Sequence, residues 1–72
     1  METVYINIGT RMRHLREMRG WTQADLAQKL GLTRTSVVNI EAGRQRVMLH
    51  ILPAMALVFK LSPENFIRGL WN

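Results

Sequence analysis

The segment TQADLAQKLGLTRTSVVNIEAG, Thr22 to Gly43, limits what this chain can fold into more than any other stretch. It holds two helical patterns of roughly two turns each, separated only by Gly31, Leu32 and Thr33. Helices this short are marginal alone in water and owe their stability to packing. Thr22 reads as the N-cap of the first, with Asp25 placing an anion in its opening turn. Leu26, Ala27 and Leu30 form its buried side over about Gln23–Leu30. Gly31 supplies positive φ at the corner without steric cost. Thr33 caps the second helix, where Val37, Ile40 and Glu41 fall on one side, and Gly43 stops it. Ala27 is small, as a close crossing of the two helices requires.

The remaining periodicity is also helical. Ile8, Met12 and Leu15 form one stripe, predicting a helix over about Asn7–Arg19 that ends at Gly20. The first six residues, with Val4, Tyr5 and Ile6, can add a turn, form a short strand or be disordered. Leu52, Met55, Ala56 and Phe59 make a further apolar face. Pro53 is tolerated only in a first turn, so this helix is placed from near Leu52 to near Lys60, and residues 44–51 become a loop. Ser62-Pro63-Glu64 reads as cap, first-position proline and early acid, opening a last helix from Pro63 to about Leu70. The expectation is a single all-α domain of five helices spanning residues 1–72, with no βαβ pattern.

A 72-residue chain buries little surface and often needs a metal, disulfides or a partner subunit. There is no Cys, and neither His14 nor His50 has a second ligand at metal spacing. No metal, cofactor or small-molecule ligand is therefore expected, and a second subunit is the remaining support. Catalysis is not expected either: Thr10 is the sole hydroxyl near His14, and no carboxylate pair forms a recognisable constellation. The start METVYINIG is not a secretory leader. The apolar run Val47 to Leu61 is broken by His50, Pro53 and Lys60 and is shorter than a span of about 18 residues, so no membrane segment is expected. A cytoplasmic chain without Cys fits a reducing compartment. Ten Lys and Arg against five Asp and Glu give a net charge of +5. Arg dominates, and its planar fork suits phosphate and guanine. Such a charge fits either nucleic-acid binding or a merely soluble basic surface.

Two short helices joined by a three-residue, glycine-bearing turn form a helix-turn-helix. The stretch RMRHLREMRGWTQADLAQKLGLTRTSVVNIEAGRQ also resembles the phage repressor and Cro-like (Xre-like) helix-turn-helix family. The likeness runs over roughly Ile8 to Ile67 and rests on Thr22-Gln23, Leu26-Ala27, Gly31, and Glu41 followed by Gly43. It implies a five-helix domain that binds double-stranded operator DNA as a two-fold dimer, on the nucleoid of a bacterium or in a phage. The stretch RQRVMLH departs from the pattern: many members carry a proline and a polar cap where this chain has Val47, Met48 and Leu49. Those apolar residues can instead belong to a subunit interface.

With Val37 and Ile40 inward, about 100° per residue turns Thr35, Val38, Asn39 and Ala42 outward. The candidate base readers are Arg34 for guanine, Asn39 for adenine, Thr35 for a base or phosphate, and Val38 for a thymine methyl. A phosphate contact or a solvated charge is the alternative for Arg34. By resemblance, Gln23 contacts phosphate, with ordinary capping as its alternative. Ser36, Arg44 and Arg46 flank the reader helix as candidate phosphate ligands, with Arg11 and Arg13 as weaker additions. The resemblance also implies an ion pair between Arg16 and Glu41, which a buried carboxylate needs in any case. Trp21 reads as a core or hinge aromatic. Met48, Leu49, Phe66, Leu70 and Trp71 are the candidate dimer interface, within residues 47–72, unless this surface all packs internally.

These readings converge on a sequence-specific transcriptional regulator, a repressor occluding a promoter from a palindromic site. The alternatives are an antitoxin or a restriction-modification controller using the same fold, with a protein partner. An antitoxin usually adds a toxin-binding tail, for which a chain reaching only Asn72 is expected to leave little room.

Overall fold

The computed structural model describes residues 2–71. Met1 and Asn72, which the expected span 1–72 and the open reading of the first six residues include, lie outside the described residues. The helices are α1 (Thr3–Met18), α2 (Gln23–Leu30), α3 (Arg34–Glu41), α4 (Ile51–Val58) and α5 (Pro63–Arg68), followed by a 3-10 turn over Gly69–Trp71. No strand occurs among the described residues, and the all-α expectation holds.

Local signals set the helix starts. Thr22 Oγ1 accepts from the Asp25 N–H at 3.0 Å while Asp25 Oδ2 accepts from the Thr22 N–H at 2.9 Å, a reciprocal capping box. Thr33 Oγ1 accepts from the Ser36 N–H, and Ser62 Oγ from the Asn65 N–H, each at 3.0 Å. The helix ends close by a common device, in which the two residues beyond the last turn donate back to carbonyls within it. At the corner, Gly31 donates to Gln28 O at 3.3 Å and Leu32 to Ala27 O at 2.9 Å, with Gly31 at φ 69°. The same closure ends α4 through Lys60, a non-glycine residue at φ 58°.

Three boundaries differ from the sequence reading. Helix α1 starts at Thr3 and not near Asn7, because Val4 and Tyr5 continue its stripe and pack, partly buried, against the core. Helix α4 takes in Ile51 and ends at Val58, with Pro53 in its first turn. The last segment is α-helical only to Arg68, and Leu70 enters the core from the 3-10 turn.

One core joins all five helices. Met12, Leu26, Val37, Met55, Phe59 and Phe66 are its largest fully buried side chains. Three expected interface positions are corrected by this packing. Phe66 is 0% exposed and Leu70 6%. Val47, open to the same interface reading, is likewise buried. A domain this small needs these groups inside to close the side between α1 and α4–α5. Trp21 is a packing aromatic, stacked on Phe59 at 5.8 Å between ring centroids. Lys29 lies over its ring at 4.6 Å, and Arg19 lies over both rings.

Helix α3 crosses α1 at Gly9. A Cβ there would overlap the Ile40 carbonyl oxygen. Glycine inside a helix costs about 1 kcal/mol relative to alanine, and this close approach explains its presence.

Candidate nucleic-acid interface

Helix α3 is fixed on its inner side and open on its outer one. Val37 and Ile40 are buried in the core. The Glu41 side chain is only 3% exposed and meets Arg16, itself 12% exposed. Arg16 Nε donates to Glu41 Oε2 at 2.7 Å and Arg16 Nη2 to Oε1 at 3.0 Å, a fork-to-carboxylate geometry. Arg16 Nη1 donates to the Trp21 carbonyl at 2.7 Å, and Gln23 Nε2 donates to Glu41 Oε1 at 3.1 Å. One carboxylate thus ties α1, α2 and α3 together. Its hydrogen bond to Arg16 holds the guanidinium above its ordinary pKa, so this cation stays charged at any physiological pH.

On the outer side, Arg34 and Thr35 are exposed, and Val38 and Asn39 are partly exposed. The four candidate base readers therefore share the side of α3 that the core leaves open. Ser36 is half-buried, and its hydroxyl accepts from Thr33 Oγ1 at 3.1 Å. Arg44 Nη2 donates to Asn39 Oδ1 at 3.2 Å, which places Arg44 against a candidate reader. Arg46 is exposed and pairs weakly with Glu2 at 3.4 Å. Gln23 turns its amide nitrogen toward Glu41, which sets its side chain in a notch beside α3.

Arg11 requires a correction. Its Nε donates to Phe66 O at 3.2 Å and its Nη2 to Asn65 O at 3.4 Å, with the guanidinium 5.6 Å from the Phe66 ring. It braces α1 against α5 and is not placed with the phosphate candidates. Arg13 takes the other direction, because two residues at about 100° each face nearly opposite ways. It lines a notch with Arg16, Gln23, Val38, Glu41 and Ala42, beside the outer side of α3. That helical spacing was the signal for separating the two arginines.

The remaining apolar surface lies elsewhere. Met48, Leu49 and Trp71 are exposed, as are Leu57 and Ile67, which the sequence reading did not select. Leu49, Leu52, Pro53, Pro63 and Ile67 line an apolar groove between the start of α4 and α5. Among the described residues, no helix is long and apolar enough to cross a membrane, and no group of His, Asp or Glu is arranged to hold a metal ion.

A family model described as Helix-turn-helix matches residues 12–66. An HTH-type transcriptional regulatory protein from Thermococcus kodakarensis is 39% identical over 57 residues, which are 78% of this chain and 18% of that protein. An uncharacterized HTH-type transcriptional regulator from Archaeoglobus fulgidus is 36% identical over 56 residues, covering 78% of this chain and 80% of its own length. Among solved structures, the restriction-modification controller protein C.AhdI from Aeromonas hydrophila superposes with a TM-score of 0.78 at 31% identity, covering 86% of this chain and 94% of that one. With the motif, the five-helix fold and this match in agreement, the chain belongs to the helix-turn-helix family, in the phage repressor and Cro-like class that its sequence resembles.

Proposed function

We propose that this chain is a sequence-specific transcriptional regulator that binds double-stranded DNA by laying α3 in the major groove. It acts in the cytoplasm as a repressor, binding a palindromic operator as a homodimer. One observation carries this reading: α3 presents Arg34, Thr35, Val38 and Asn39 on its open side while Val37, Ile40 and Glu41 lock the other. A reader helix needs that division, because base contacts specify only when the backbone behind them cannot drift. The net charge of +5 supplies the sequence-independent attraction. Arg44 and Arg46, which follow α3 in the sequence, are candidate cations for phosphates, with Arg13 in the notch beside α3 a weaker one. Arg34 is the candidate for a guanine edge. A two-fold pair would set two reader helices about 34 Å apart, one turn of DNA.

A narrower reading within the same class is a restriction-modification controller. The likeness to C.AhdI over 94% of that protein's length favours it. The DNA chemistry is the same in both readings, and they differ only in the gene controlled.

Selection of bound duplexes from a random pool at near-physiological salt tests the proposal. The expected result is an enriched palindrome with half-sites one helical turn apart. A folded protein that enriches no motif would rule out specific reading by α3 and point to a protein partner, as in the antitoxin alternative.

A further inference from the structure

The end of α3 joins its last outward reader to the residue that follows the helix. The Arg44 N–H donates to the Asn39 carbonyl at 2.9 Å, and the Gly43 N–H to Ile40 O at 3.0 Å. Gly43 sits at φ 74°, and a Cβ on it would meet Ile6 Cγ1 at 3.1 Å. The main chain itself therefore places Arg44 over Asn39. The side chains repeat the link, Arg44 Nη2 donating to Asn39 Oδ1 at 3.2 Å. Arginine has no acceptor, so it is the amide oxygen of Asn39 that faces Arg44, and the N–H donors lie on the amide's other side.

We propose that Arg44 is a positioning residue for Asn39, and that the pair selects guanine at one base pair per half-site. This rests on the reading of α3 as the base-contacting helix. An asparagine free to use both ends of its amide pairs with adenine, accepting from N6 and donating to N7. With one lone pair of its oxygen taken by Arg44 and a cation held beside it, Asn39 is biased toward using its N–H donors. Guanine presents two acceptors, N7 and O6, on its major-groove edge, whereas adenine presents one acceptor and one donor. Arg44 is then not an interchangeable phosphate ligand, although its charge and exposure resemble those of Arg46.

The test is duplex selection with the full chain and with Asn39→Ala, Arg44→Ala, Arg44→Lys, Arg46→Ala and the Asn39→Ala/Arg44→Ala pair, each checked for fold by thermal melting. Asn39→Ala identifies the position by relaxing it. Arg44→Ala is expected to shift that same position from guanine toward adenine by about fivefold or more, leaving the rest of the motif intact. Arg44→Lys keeps the charge, loses the fork and shows the same shift, so it carries the test should the alanine variant fold poorly. In the Asn39→Ala background, the loss of Arg44 should change base preference no further. Even weakening of all sequences by Arg44→Ala, with the motif unchanged as expected for Arg46→Ala, would make Arg44 a phosphate ligand and overturn the proposal. A wild-type chain that enriches no motif would overturn it too, together with the reading of α3 beneath it.

Discussion

Glu41 receives two guanidinium bonds and one amide bond while nearly all of its side chain is out of water. Removing one partner of a buried ion pair typically costs about 3–5 kcal/mol, because the other is left charged and unpaired. A small domain has only about 5–15 kcal/mol in total. Glu41→Ala is therefore expected to lower Tm by more than about 10 °C. Arg16→Met combined with Glu41→Leu should recover most of that loss, since no charge is stranded. A single-variant melt within a few degrees of wild type would show that Arg16 finds water instead. Asp25 acts in another pH range. The backbone and side-chain hydrogen bonds of Thr22 hold its carboxylate below the ordinary value of 3.8. A carboxylate with a lowered folded pKa stabilises above its unfolded pKa, and the effect is lost as pH falls through the folded value. Asp25→Asn should thus flatten the acid side of the stability curve below about pH 4, as measured by unfolding midpoints from neutral pH downward.

At the scale of elements, the α1–α3 crossing depends on a missing side chain. Gly9→Ala gains helix propensity of about 1 kcal/mol, yet its methyl would press on the Ile40 carbonyl. Overpacking costs typically about 1–3 kcal/mol, so a net loss of Tm is expected, with weaker DNA binding as α3 is pushed outward. A raised Tm would mean that the helices separate without cost. The sequence reading did not single out Gly9, since a glycine inside a helical stripe gives no hint of what approaches it. The caps were legible because their signals are local: Thr22 with Asp25, Thr33, and Ser62-Pro63-Glu64 each act within one turn. The start of α1 was not, because Val4 and Tyr5 are helical for the sake of tertiary packing. Arg11 was placed among phosphate ligands for a similar reason. Its real partners, the carbonyls of Asn65 and Phe66, lie more than fifty positions away along the chain.

For the whole molecule, apolar spacing revealed which residues are buried somewhere but not against what. Phe66 and Leu70 close the core, while Leu49 and Trp71 from the same expected interface stay in water. If the groove between α4 and α5 seats a second copy, Leu49→Ser with Ile67→Ser should leave the monomer folded, since both side chains are exposed. The pair should shift sedimentation toward monomer and lower operator affinity by at least about tenfold. An intact dimer in that variant would place the interface elsewhere. The two sides of α3 carry a different consequence. Arg34 and Thr35 stand in solvent and take no part in the packing that sets the helix angle. If they read bases as proposed, exchanging them would alter which duplex is preferred and draw almost nothing from a slender stability margin. Such a domain can be retargeted stepwise, by drift or by design, without refolding at each step. The freedom ends at Asn39, where a new side chain also changes what Arg44 rests upon.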